Sequence, residues 1–199
     1  MFRVAALISL LAAPALAEKL SLQRMSAESL HIANNEGAIN TDDELSITID
    51  LADKHRVDII AVGSSKLHNL YRNGRNTDDD IAWTTTWKGT FTRTAKSLAF
   101  DLELLKHDCQ AQRTENDSAP EPRTCKTPTK HAKVSCLLDS VEIDQKKVAA
   151  WRCSPDDKSD LAETQASWLL GKATCIKTLG GHHSPESFEL CPASPPAQP

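Results

Sequence analysis

The chain is poor in rings, with four tryptophans, four phenylalanines and one tyrosine in 199 residues. A core with so few large side chains must lean on Leu, Ile, Val and Ala, and it gains from covalent reinforcement. Cysteine is absent from the first 108 residues and then occurs six times, at 109, 125, 136, 153, 175 and 191. No Cys-x-x-Cys spacing is among them, which counts against a thioredoxin-like redox pair and a zinc ribbon. There is no basic stripe, and the formal charge is −4. This counts against nucleic acid or anionic lipid as the main partner. Gly-x-Ser-x-Gly, His-Glu-x-x-His, P-loop and Gly-x-Gly-x-x-Gly motifs are all missing. The sequence accordingly offers no catalytic, cofactor-binding or metal-ligating set, and an enzyme is the less favoured expectation.

No apolar run after the N-terminus is long enough to cross a bilayer as a helix. The N-terminus itself, MFRVAALISLLAAPALA, carries Arg3, an apolar stretch over Val4–Leu11 and the small-residue ending Ala15-Leu16-Ala17. This is the pattern of a secretory signal peptide cleaved after Ala17, which places the protein in the periplasm or outside the cell without a membrane anchor. Loss of Arg3 takes the charge from −4 to −5. The expected organisation is a signal peptide over 1–17 and one exported β-rich domain over 18–191. That domain divides into a cysteine-free half (18–108) and a disulfide-stapled half (109–191), and a Pro-rich disordered tail (192–199) follows.

The fold class is mainly β, with antiparallel hairpins forming a small barrel or sandwich. Leu45, Ile47, Ile49 and Leu51 alternate with Ser46, Thr48 and Asp50, and Arg56–Val62 follows as an antiparallel partner. Leu20–Leu22 and Leu30–Ile32 suit short strands. Gly63-Ser64-Ser65 reads as a break. Trp83, Trp87 and Phe91 alternate with threonines and Lys88, while Leu98, Phe100, Leu102 and Leu104 alternate with Asp101 and Glu103. These runs predict a hairpin with a four-residue loop at Arg93–Lys96, Phe91 opposite Leu98 and Trp87 opposite Leu102. Trp87-Lys88-Gly89-Thr90-Phe91 on alternating strands suits a small barrel of lipocalin-like architecture, an analogy that carries no function.

Gln110–Thr124 is poor in apolar residues and reads as an exposed loop; Asn116-Asp117-Ser118 within it has the form of a glycosylation acceptor. Lys133–Cys153 predicts a second hairpin. A turn at Asp144-Gln145, or a wider one over Ile143–Lys146, sets Cys136 against Cys153, Leu138 against Trp151, Ser140 against Ala149 and Glu142 against Lys147. Asp160-Leu161-Ala162-Glu163 has capping-box spacing and predicts a short helix near 161–170. Lys172–Leu179 and Ser187–Cys191 suit two last strands.

An even cysteine count in an exported chain favours disulfides. The expected pairing is sequential: Cys109–Cys125, Cys136–Cys153 and Cys175–Cys191. Asn76, Asp78 and Asp80 match the opening of a calcium loop, yet the sixth and twelfth positions are Ile81 and Trp87, so the motif fails. Asn76–Asp80 then reads as an acidic turn.

Three functions remain. The favoured one is an exported, disulfide-stabilised binding module for an unknown protein or small ligand, inhibitor-like if Arg113-Thr114 or Arg123-Thr124 is presented to a protease. A small hydrolase requires His107 or His182 to meet an acid in space. A small-ligand carrier requires an apolar cavity facing Trp83 and Trp87.

Overall fold

Extended structure runs further along this chain than the apolar–polar alternation marks it. In the computed structural model, which describes residues 18–32, 37–52, 55–71, 74–116, 118–155, 168–172, 174–181 and 184–192, almost every segment is extended. In chain order the strands are β1 (Glu18–Ile32), β2 (Gly37–Ala52), β3 (Arg56–Tyr71), β4 (Asn76–Arg93) and β5 (Ser97–Glu115). They continue with β6 (Glu121–Pro122), β7 (His131–Ile143), β8 (Lys146–Pro155), β9 (Trp168–Gly171), β10 (Ile176–Gly181) and β11 (Ser184–Leu190). All belong to one sheet, ordered β11-β10-β1-β2-β3-β4-β5-β7-β8-β9, with β6 added beside β5. Every neighbouring pair is antiparallel except β1 and β10, where Leu22 lies opposite Ile176.

The sheet curls into a half-barrel. Its inner face buries Leu20 and Leu22 of β1, Ile47, Ile49 and Leu51 of β2, and Val57 and Ile59 of β3. Trp87, Leu98, Phe100 and Leu102 continue the core, and Trp151, Trp168 and Leu170 close it from the far end of the strand order. At the rim, Arg93 of β4 ion-pairs with Glu18 of β1, and its guanidinium stands 5.6 Å from the centre of the Trp151 ring of β8. Strands distant in hydrogen-bonding order thus meet in space. β9 is buried on both faces: Trp168 and Leu170 enter the main core, while Leu169 packs with Val141, Ile143, Ala150 and Ile176 in a second cluster.

The β7–β8 hairpin has the expected register, with Cys136 opposite Cys153, Leu138 opposite Trp151, Ser140 opposite Ala149 and Glu142 opposite Lys147. Asp144 and Gln145 both take positive φ, at 50° and 63°, the two-residue turn whose twist matches a hairpin. That turn makes the Cys136–Cys153 position a non-hydrogen-bonded pair, and its Cα atoms are 3.9 Å apart.

The β4–β5 hairpin keeps the expected faces and changes register by two residues. Phe91 lies opposite Phe100, Gly89 opposite Leu102 and Trp87 opposite Leu104. The loop is Ala95-Lys96, not the four residues Arg93–Lys96. Thr94 closes it: its N–H donates to the Ser97 carbonyl at 2.8 Å, and its Oγ1 accepts from the N–H groups of Lys96 and Ser97. Neither Ala95 nor Lys96 takes positive φ, so the side-chain bonds do the work that an Asn-Gly turn does through backbone preference.

Other expectations are corrected. Gly63-Ser64-Ser65 does not break β3, because the indole of Trp83 lies across Gly63; a Cβ there would stand 2.1 Å from the ring. Asn76–Asp80 is strand, not turn, and its acids are engaged: His68 contacts Asp78, and Arg113 donates two hydrogen bonds of 2.6 Å to Asp79. Asn40–Leu45 and Asn76–Ile81 are similar in sequence, and the register sets Lys66 opposite both Asp42 and Asp80. Gln110–Glu115 belongs to β5, so only the remainder of the expected loop is irregular. Trp168–Gly171 is a strand, which removes the end of the helix expected near 161–170; there is no helix among the described residues. Positions 161–167, the signal segment 1–17, His182-His183 and the tail from 193 lie outside them.

Gly89 is the backbone position with least room, because a Cβ would meet the Asp101 carbonyl oxygen at 1.9 Å. Gly89→Ala is expected to destabilise the disulfide-intact protein by about 1–3 kcal/mol, read from the urea midpoint. The Arg113 hydrogen bonds and charge hold the Asp79 carboxyl below its ordinary range, against the opposing effect of burial. A depressed folded value means the contribution is complete above the unfolded value of about 3.9 and lost as pH falls through the folded one. The stability difference between wild type and Asp79→Asn should therefore be flat between about pH 5 and pH 8 and shrink below about pH 4. Urea titrations across that range check it.

Candidate functional site

The site begins with one extra residue. Thr86 pairs with Lys106 and Trp87 with Leu104, so Leu105 is a bulge in β5 and its side chain is exposed. Side chains alternate along a strand, and an inserted residue reverses which parity faces inward. Below the bulge Leu98, Phe100 and Leu102 point into the half-barrel. Above it His107, Cys109, Ala111 and Arg113 take that face, opposite Thr85, Trp83, Ile81 and Asp79.

Cys109 then carries a wall. Its disulfide to Cys125 draws the irregular segment after β6 across the inner face. Backbone bonds hold that segment at both ends, from Arg123 N–H to the Ala111 carbonyl (2.8 Å) and from Leu104 N–H to the Lys130 carbonyl (2.9 Å). Thr124, Cys125, Lys126 and Pro128 form one side of a cleft of about 470 Å³, and Trp168 of β9 is on its wall. The floor is Leu45, Ile47, Ala61, Trp83 and Trp87. Most of the lining is apolar.

The polar groups are few. Thr85 Oγ1 and His107 Nδ1 are 2.8 Å apart, and Thr85 is buried. His107 Nε2 and the indole Nε1 atoms of Trp87 and Trp168 are buried without a hydrogen-bond partner among the described residues. An indole nitrogen only donates, and a buried polar group left unpaired costs about 1–3 kcal/mol. Trp87 thus serves twice, as a core side chain and as a wall of the cleft.

The residues singled out in the sequence are placed differently from one another. Trp83 and Trp87 both face the cleft. Arg113 is held in β5 by Asp79, so the Arg113-Thr114 loop offered to a protease does not exist. Arg123 is exposed, beside the disulfide. His107 meets a threonine hydroxyl and not an acid, leaving it without the orienting carboxylate that a hydrolytic base needs. No group of three metal-ligating side chains occurs among the described residues. The six cysteines form Cys109–Cys125, Cys136–Cys153 and Cys175–Cys191, a complement typical of oxidising compartments. His107 escaped notice as a cleft residue because period-two reasoning runs through Leu104-Leu105 without a step; two adjacent leucines at the end of an alternating run are the visible signal.

No family model and no curated protein matches the chain.

Replacing both cysteines of the wall, as Cys109→Ser with Cys125→Ser, opens a covalent loop with a sequence separation of 16. A loss of about 3 kcal/mol is expected on chain-entropy grounds. Hydrogen exchange should accelerate more over 123–130 than the global stability loss accelerates the β7–β8 amides.

Proposed function

We propose that the protein is an exported, disulfide-stabilised binding module that holds a small apolar molecule in the cleft beneath the Cys109–Cys125 wall. The observation that carries this reading is the cleft itself: about 470 Å³, floored by Leu45, Ile47, Ala61, Trp83 and Trp87, with Trp168 beside them. Ligand pockets of about 300–1,000 Å³ are lined in this way, by apolar and aromatic side chains with a few placed polar groups. Burial of apolar surface supplies the affinity, and the Thr85–His107 pair supplies an orienting polar point. Of the three functions open at the level of sequence, a carrier of small ligands is the one that asked for a cavity facing Trp83 and Trp87. The N-terminal seventeen residues and the three disulfides support export.

An inhibitor reading retains only Arg123, and a hydrolase reading lacks an acid at His107. Neither has a specific observation in its favour.

The uncharged dye phenylnaphthylamine tests the proposal. Titrated into the disulfide-intact protein, it should give saturable one-to-one emission, excited through the tryptophans, with dissociation constants on the order of micromolar. Ala111→Trp, which places a ring in the cleft, should remove that signal while the fold, followed by far-UV dichroism, is kept. Dye uptake that is absent, does not saturate, or persists unchanged in Ala111→Trp would overturn the assignment.

A further inference from the structure

The outer face of the sheet carries a second concavity, a trough of about 880 Å³. Its lining follows three adjacent cross-strand rows of β1–β5. The middle row is Arg24, Leu45, Gly63, Trp83 and Cys109. Alternation turns the side chains of that row to the inner face, so the trough has a main-chain floor. One bank runs from Gln23 through Ser46, Val62 and Thr84 to Asp108, and the other from Met25 through Glu44, Ser64 and Ala82 to Gln110. The trough thus crosses the strands for about 19 Å, between banks about 6.8 Å apart. The banks mix two kinds of surface. Val62 and Met25 are 47% and 39% exposed. Glu44, Ser46, Ser64, Thr84 and Gln110 make no side-chain hydrogen bond to another described residue. In the next two rows of the same face such bonds do form, from Gln112 to Asp80 and between His68 and Asp78. The charges at the ends of the trough are paired, Arg24 with Glu186 of β11 at 4.0 Å and Asp108 with Lys106.

We infer that this trough is a second binding site, and that it takes a neutral oligosaccharide lying across the strands. A sugar chain donates and accepts hydrogen bonds along its length, and the serine, threonine, glutamine and glutamate side chains of the banks answer in both senses. Its C–H faces pack on Val62 and Met25. Other polymers fit less well. An α-helix is about 10–12 Å across and is too wide for the banks. An extended peptide joins a sheet through main-chain bonds at an edge, whereas the amides of this floor are already committed to the ladder. A polyanion meets the Glu44 carboxylate without an unpaired cation among the lining residues, and one unpaired carboxylate gives a polycation a single point of attraction. The trough lies on the face opposite the cleft, so this inference does not depend on what the cleft holds.

Calorimetric titration of the disulfide-intact protein with cellohexaose, maltohexaose and the hexamer of N-acetylglucosamine tests it. At least one of the three should bind one-to-one with a dissociation constant below about a millimolar. Its disaccharide, which spans only part of the trough, should bind at least about tenfold more weakly, as should the charged hexamers of galacturonate and glucosamine. Ser64→Tyr and Ala82→Tyr each place a ring on a bank and should remove the binding while far-UV dichroism is unchanged. Ala82 is exposed, so its substitution keeps the test valid if Ser64→Tyr fails to fold. Glu44→Ala should weaken binding by about tenfold. Absence of binding by all three neutral hexamers overturns the inference. Binding of a charged hexamer as tight as that of the neutral ones, or neutral binding that persists in a folded tyrosine variant, overturns it as well.

Discussion

One inserted residue divides the inner face of this sheet into a core and a cleft. β5 runs for nineteen residues, and its apolar members in the first half occupy even positions. Continued without a break, that parity would turn Lys106, Asp108 and Gln110 inward. The bulge at Leu105 instead turns in His107, Cys109 and Ala111 and leaves Lys106 and Asp108 on the outer face, where they form an ion pair. Everything distinctive about the cleft depends on this exchange. Only an inward Cys109 can be bridged to a segment lying across the inner face, and only an inward His107 can meet Thr85.

The second requirement is curvature. β9 is four residues long and buried throughout, so it has no stable place outside the fold it completes. Its alternation serves two clusters at once, Trp168 and Leu170 against the β1–β5 side and Leu169 against the β7–β8 tip and β10. β1 is third in the strand order, and the parallel β1–β10 pair lets β10 and β11 join the sheet beside it. Cys175–Cys191 then ties the stretch before β10 to the end of β11. The three disulfides thus staple different parts of the sheet: a wall segment, the β7–β8 hairpin and the β10–β11 edge pair.

How much of this was legible depended on whether the information was local. The β7–β8 register followed from Cys136, Leu138, Ser140 and Glu142 against Cys153, Trp151, Ala149 and Lys147, because charge, cystine and turn all agreed on one alignment. For β4–β5 the faces were legible and the register was not. Lys88 finds an acid at Asp101 in one alignment and at Glu103 in the other, and the choice between them was made by Thr94, whose hydroxyl closes a turn that residue preferences alone disfavour. Gly63 looked like a break because its missing side chain is explained only by Trp83 on the next strand. The length of β1 to β5 was hidden for a similar reason. Their far ends are polar on the inner face, where Thr41, Asp79 and Arg113 stand in rows that carry no hydrophobic period, and pairing with neighbours keeps them extended. Of the cleft, the tryptophans were visible as candidates, while the wall that encloses them required both the Cys109–Cys125 bridge and the reversed parity of β5.

Unpaired buried donors do not by themselves mark a binding site, and this molecule contains its own control. Trp151 also has an indole nitrogen without a partner among the described residues, yet its ring belongs to the core and faces the Arg93 guanidinium. There the packing of a large ring outweighs one lost hydrogen bond, since burying such a side chain is worth more than about 1–3 kcal/mol. Trp87 and Trp168 carry the same local cost, and their rings also line the cleft. In a sealed core the deficit is fixed at folding. The indole nitrogens of Trp87 and Trp168 are as buried as that of Trp151, so at all three the packing of the ring outweighs the lost bond.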